Sequence, residues 1–299
     1  MAREIDLQRG AFTISIDLEI LWGVWDLPAK SAEHRSAELE RIITPRLLDL
    51  FRSYDIRVTW AIVARLLDEQ RGFDGLRGAR ECWYAPDLID AIRSDRVDHE
   101  IGSHSYGHVY FNEIPQAKAV EDLRRASDVH RAHGLSFASF VFPRNGIGHL
   151  EALREAGIRV YRSTDAGVVG WTAKNAAPLR AAVNLADKAL ALPPPIVRPI
   201  IHDNGLVELP SSMLLMARNG LRRVIHPRAL ARKLRDGVRR AARERGIFHL
   251  WFHPSNFYGD MESQLGILER GLEEAASLRE RGELDVATMG DFASYGTAA

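Results

Sequence analysis

Residues 11–20 read AFTISIDLEI. Apolar Phe12, Ile14, Ile16 and Leu18 alternate with polar Thr13, Ser15, Asp17 and Glu19. That period of two predicts a β-strand from Phe12 to Leu18 with one apolar and one polar face. The polar face ends in two carboxylates about 7 Å apart along the backbone, at the C-terminal end of the strand. On their own they are equally a solvated pair of acids or the start of a site.

Working outward, the same unit recurs. A helical period over residues 36–54 is followed by an apolar stretch from Arg57 to Val63. A helix from Pro86 to Arg96 precedes a strand from His99 to Ser105. A helix from Gln116 to His133 stops at Gly134, a residue suited to helix ends. Strands at Phe137–Pro143 and Arg159–Thr164 flank a helix at His149–Ala156. Residues 177–190 carry a helical pattern, and Leu192–Pro199 is a proline-rich connection. Leu206–Leu214 reads as a strand, 228–245 as a basic helix and Ile247–Phe252 as a very apolar strand. Gln264–Arg281 is helical and Leu284–Met289 is a last strand. Strands alternating with helices imply a parallel sheet with helical crossovers. Seven or eight such units in 299 residues predict a single α/β domain over 1–299, core about 10–290, built as a closed or nearly closed barrel. An open doubly wound sheet is the alternative, and it would normally carry a glycine-rich loop after the first strand, which is missing here.

Composition narrows the function. Forty basic and 40 acidic residues give a formal charge of zero, which disfavours a dedicated nucleic-acid binder. Cys82 is the only cysteine, so neither an intrachain disulfide nor a cysteine zinc cage is available. No segment has the length or apolarity of a transmembrane helix, and residues 1–20 do not read as a secretory signal, so a cytoplasmic protein is expected. Arg218–Arg245 holds eleven Lys or Arg against Asp236 and Glu244. Either the helix within it packs Leu230, Leu234 and Val238 inward with a solvated basic exterior, the favoured reading, or it meets a lipid-linked phosphate or the inner membrane surface.

The chemistry-bearing residues fall at predicted strand ends. His104 and His108, in HSYGH, are four apart directly after a strand and can face one metal ion. With Asp17 or Glu19 they make a two-His, one-carboxylate set that leaves room for water and substrate. Arg144, in FPRNG, puts a cation at the same rim, where it could hold a carboxylate ionised. His249, Trp251 and His253 share a strand face. His253, at the end, is a candidate general acid, whereas His249 is expected to be a buried, hydrogen-bonded histidine. Asp165 is a candidate to orient a rim histidine and Trp171 to wall the pocket.

Taken in order, SIDLE, HSYGH, FPRNG, STDAGVVGW and LWFH resemble the successive motifs of the polysaccharide deacetylase family (carbohydrate esterase family 4, the NodB-homology domain). The resemblance implies metal-dependent removal of an N-acyl group from a sugar, with one divalent metal ion, usually zinc. It implies His104, His108 and Glu19 as ligands, Asp17 as base, Arg144 as its tether and His253 as the acid. It also implies Asp165 in a catalytic role, and Asn145 and Trp171 near the substrate. Leu18 separates the two acids where the family has them adjacent, so Asp17 as ligand with Glu19 behind it stays open. In FPRNG, Pro143 precedes the arginine and Asn145 follows it. The backbone oxyanion contact then falls to the amide of Asn145 or Gly146. The implied substrate is an N-acylated amino sugar or a lipid-linked precursor. Competing readings are hydrolysis of a non-sugar amide or cyclic imide, a catalytically retired carbohydrate-binding barrel, and a non-haem iron oxygenase, which the strand–helix alternation disfavours. The loop at 20–35, with Trp22 and Trp25, is open between a lid and a packed segment.

Overall fold

In the computed structural model, residues 2–27, 35, 37–69, 79–165 and 193–297 are described. The predicted first strand is β2, Gly10–Leu18, after a two-residue β1, Arg3–Glu4. Parallel to it on one side run β3 (Thr59–Ile62), β4 (Glu100–Ser103), β5 (Ser139–Val141) and β6 (Val160–Asp165), in chain order. On its other side β2 pairs with β10, Ile247–Phe252. The short β11, Leu284–Val286, also adds to β2 near its start.

The strand predicted at 206–214 divides at Ser212. Its first half, β8 (Val207–Ser211), pairs with β6, and its second half, β9 (Met213–Leu214), pairs with β10. At the switch the Ser212 amide donates to the His249 carbonyl (2.8 Å). One passage of chain thus touches both ends of the parallel series, and the α/β fold with a parallel sheet and helical crossovers is as the alternation predicted. Two residues, Ile200–Ile201 (β7), link β8 to β1 by antiparallel pairing, an annex with no periodic signal in so short a run.

All nine residues of β2 are buried, on both faces. Phe12, Ile14, Ile16 and Leu18 face the surrounding helices and join the main hydrophobic core, each burial contributing about 1.5–3 kcal/mol. Thr13, Ser15 and Asp17 face the barrel interior, where Ser15 Oγ lies 2.9 Å from His249 Nε2. Gly10 lets the helix Pro227–Glu244 come close: a Cβ there would lie 2.0 Å from the Ala241 carbonyl oxygen. That helix buries Leu230, Leu234 and Val238, the inward-packing reading of the basic segment. Its arginines meet acids on the helix Met261–Glu280, with Arg235 and Arg239 sharing Glu274. Among the described residues no helix is long and apolar enough to cross a membrane. The helix predicted at 177–190 lies outside the described residues.

Candidate active site

The C-terminal ends of the parallel strands gather Asp17, Glu19, His104, His108 and His253 around one cavity of about 340 Å³. A larger groove of about 1170 Å³, between the helices Pro227–Glu244 and Met261–Glu280, contains none of these residues, and its arginines are largely ion-paired. Size alone would select the wrong cavity; the convergence of titratable groups selects the smaller one.

Glu19 is the hub. Its Oε1 lies 2.7 Å from His104 Nε2, 3.2 Å from His108 Nε2 and 3.4 Å from His253 Nε2. Burial raises the Glu19 pKa, but the surrounding histidines outweigh it and hold the group well below the usual carboxylate range. His104 Nδ1 lies 2.8 Å from the Val141 carbonyl. Only a protonated Nδ1 can make that contact, so in the neutral ring Nε2 carries a lone pair, directed at Glu19. Two acceptors then face each other at hydrogen-bond distance, and a cation or a proton must lie between them. This is the chemistry of a metal-binding donor set, and Glu19, His104 and His108 fit a divalent cation.

The HSYGH turn is shaped to deliver both imidazoles. Ser105 and His108 adopt positive φ (67° and 55°), and the His108 amide donates to Ser105 Oγ (2.8 Å). Asp122, from the helix Gln116–Ala132, accepts from the amides of Tyr106 (2.8 Å) and Gly107 (3.0 Å). Burial pushes the Asp122 carboxyl up to about 6.

Asp17 is held from across the barrel. Arg162 on β6 donates to both its oxygens (2.7 Å each) and also to Ser15 Oγ (3.0 Å), and its guanidinium lies 4.2 Å from the Trp251 ring centre. Burial raises the Asp17 pKa, yet Arg162, with His104 and His253, brings it below the ordinary value. This corrects the expectation that Arg144 tethers Asp17. Arg144 is half exposed, pairs with Asp26 (2.9 Å) and lies over the Tyr110 ring. Its backbone turns outward at φ 50° after Pro143, which carries the side chain to the rim. The missed residue, Arg162, carries a sequence signal of its own: a cation inside a strand between Tyr161 and Ser163, which has to be paired if the strand is buried.

His253 directly follows β10, with Nε2 3.6 Å from Asp17 Oδ2. Burial lowers its pKa, but Glu19 and Asp17 override burial and raise it to about 9. Asn256 Oδ1 accepts from the His253 amide (3.0 Å) and fixes the strand end. His249 is buried as expected, and burial holds it down at about 3. Asn145 lines the cavity, its Oδ1 3.5 Å from Arg162 Nη2. The amides of Asn145 and Gly146 donate to Phe142 and Pro143 carbonyls within their own turn, so the expected oxyanion contact from them is not available. Asp165 ends β6, with its side chain outside the described residues, as is Trp171. Of the loop at 20–35, Ile20–Val24 forms a short 3-10 helix whose Trp22 is buried and bonded to the Trp83 carbonyl, so this part packs against the barrel, while Trp25 is exposed.

A further acid was missed. Glu40, the first residue of the helix Glu40–Tyr54, is buried beside the cavity. Burial and the neighbouring Glu19 charge raise its pKa to about 7. It opens a helix with ordinary amphipathic spacing, and nothing local distinguishes it from a surface glutamate.

Comparison with known proteins agrees with this architecture. Residues 38–161 match the family model described as polysaccharide deacetylase. That span contains His104 and His108, while Asp17, Glu19 and His253 lie outside it and are brought to it by the barrel. A solved structure from Mycobacterium smegmatis assigned as a polysaccharide deacetylase is 16% identical, with a TM-score of 0.68 over 99% of this chain and 93% of that one. A second, from Pseudomonas aeruginosa PAO1, is 15% identical with a TM-score of 0.62 over 95% and 90%. The PuuE allantoinase is 14% identical with a TM-score of 0.63 over 97% and 90%. No curated protein matches the chain. The family match thus covers residues 38–161, and the solved structures share the fold of the whole chain.

Proposed function

We propose that this protein is a metal-dependent hydrolase that removes an N-acyl group, acetyl in the simplest case, from an amino sugar or a sugar-containing, lipid-linked precursor. The observation that carries the reading is the convergence of Glu19 Oε1 with the Nε2 atoms of His104 and His108, beside an Asp17 that is locked by Arg162. Glu19 at the hub supports the assignment of Glu19 as ligand and Asp17 as base, over the reverse.

A divalent cation held by Glu19, His104 and His108 would supply Lewis acidity, and zinc suits this nitrogen and oxygen donor set. Asp17, kept ionised by Arg162, takes a proton from the water that adds to the acyl carbon. Its two-point contact with Arg162 fixes the direction of the carboxylate through that transfer. His253, charged between two carboxylates, gives a proton to the nitrogen as the carbon–nitrogen bond breaks. The acyl group leaves as a carboxylic acid and the sugar as an amine. Hydrolysis of a small cyclic amide uses the same residues, and a cavity of about 340 Å³ is compatible with a single small ring.

The deciding experiment is metal content by mass spectrometry on purified protein beside His104→Ala, followed by acetate release from acetamido sugars. About one equivalent of metal in the wild type, lost in the variant, together with acetate release, supports the proposal. A wild type that takes up no metal after zinc loading ends it. Metal binding with turnover of cyclic amides alone moves the assignment to the second substrate class.

A further inference from the structure

The turn that follows Glu19 is strained, and a buried side chain from another element holds it. Ile20 sits at φ 49°, in the left-handed region. A β-branched residue is a genuine outlier there and persists only where its surroundings over-determine it. The surroundings are specific. Glu40 Oε2 accepts from the Ile20 amide at 2.9 Å and from the Glu19 amide at 3.3 Å. The turn closes by the Trp22 amide donating to the Glu19 carbonyl (3.1 Å), and Trp22 Nε1 anchors its far side to the Trp83 carbonyl (2.7 Å). Within the turn Gly23 leaves the space into which Glu19 folds back: a Cβ on Gly23 would lie 1.7 Å from Glu19 Oε2. This turn, with the histidines that Glu19 faces, sets the direction of its carboxylate, and among the described residues Glu40 is the side chain bonded to both amides at the strained step.

We infer that Glu40 is a positioning residue for the metal-binding set. By accepting from the Glu19 and Ile20 amides it holds the strained turn that aims Glu19 Oε1 at His104 and His108. The inference rests on the metal-site reading above and adds a residue outside its motifs. What Glu40 supplies is an acceptor oxygen at one place. A glutamine carbonyl can supply the same contact, whereas an alanine leaves two amides without a partner and lets Ile20 relax.

The test is zinc affinity of the apoprotein, measured by competition with a chromophoric chelator, beside the visible spectrum of the cobalt-loaded protein and circular dichroism. Glu40→Ala is expected to weaken zinc binding at least about tenfold, the usual effect of removing a partner that orients a ligand, and to change the cobalt bands. Glu40→Gln is expected to stay within about threefold of wild type, a margin set by retention of the acceptor. If Glu40→Ala does not fold, Glu40→Asp replaces it, since the shorter side chain withdraws the oxygen. A folded Glu40→Ala or Glu40→Asp with wild-type affinity and spectrum overturns the inference, as does a Glu40→Gln as weak as alanine. A wild type that binds no zinc instead removes the metal-site reading itself, so the two failures are distinct.

Discussion

Arg162 and Asp17 meet across the barrel interior as a two-point ion pair, one hydrogen bond to each carboxylate oxygen at 2.7 Å, with both side chains almost wholly buried. Breaking such a pair from one side leaves a charge without compensation in a medium that cannot solvate it, at a cost of about 3–5 kcal/mol. Arg162→Ala is therefore expected to destabilise strongly. Arg162→Lys keeps the charge but not the fork, and is expected to retain more stability while losing most activity. Arg144→Ala, at the rim, is expected to change stability by less than about 1 kcal/mol. Urea unfolding of the three variants checks the ranking; equal effects of Arg144→Ala and Arg162→Ala would refute the assignment of the tether.

His253 stands between two carboxylates with its amide capped by Asn256. As the proton donor to the leaving nitrogen, its removal in His253→Ala is expected to lower kcat by about 10²–10⁴. The loss should shrink for substrates with better leaving groups, such as activated esters. A uniform loss on amides and esters would argue for a structural role instead.

Acid sensitivity has an identifiable source away from the site. His130 is fully buried, 2.6 Å from the Ser136 carbonyl through Nδ1, and burial lowers its pKa to about 4. His99, packed against Phe51 and Trp60, is also lowered by burial to about 4. Between the ordinary value of about 6.5 and about 4 the unfolded chain binds these protons and the folded one does not. Their contribution is complete above about pH 6.5 and is lost as pH falls toward 4, at most about 3 kcal/mol for each. His130→Asn, which keeps a donor for Ser136, is expected to flatten this part of the stability profile. An unchanged slope in thermal unfolding from pH 7 to 4 would contradict it.

Gly10 marks a close approach of a helix to the sheet. Gly10→Val should force the helix Pro227–Glu244 outward and cost about 1–3 kcal/mol, the range for overpacking. Gly282, at φ 72° with open space around it, tolerates asparagine with a far smaller loss. Thermal unfolding of the two variants distinguishes a packing requirement from a general intolerance of glycine replacement.

Local sequence determined the elements and the order of the candidate chemistry. The alternation in AFTISIDLEI placed Asp17 on the inner face of its strand, and the spacing in HSYGH gave two imidazoles on one turn. Both are short-range patterns, and the backbone enforces them wherever the segment sits. LWFH likewise carried His253 to a strand end. Local sequence could not choose the tether. Arg144 follows one strand and Arg162 lies within the next, and the difference lies in the positive φ after Pro143 and in which strand brings its cation to Asp17. Nor could it reveal Glu40, whose contacts with Glu19 and Ile20 join residues some twenty positions apart. Pairings across a barrel depend on register and curvature, which no single segment encodes. The sequence alone therefore determined which side chains could do chemistry; the tertiary structure decided which buried charge holds which, because a charge removed from water must find its partner in three dimensions.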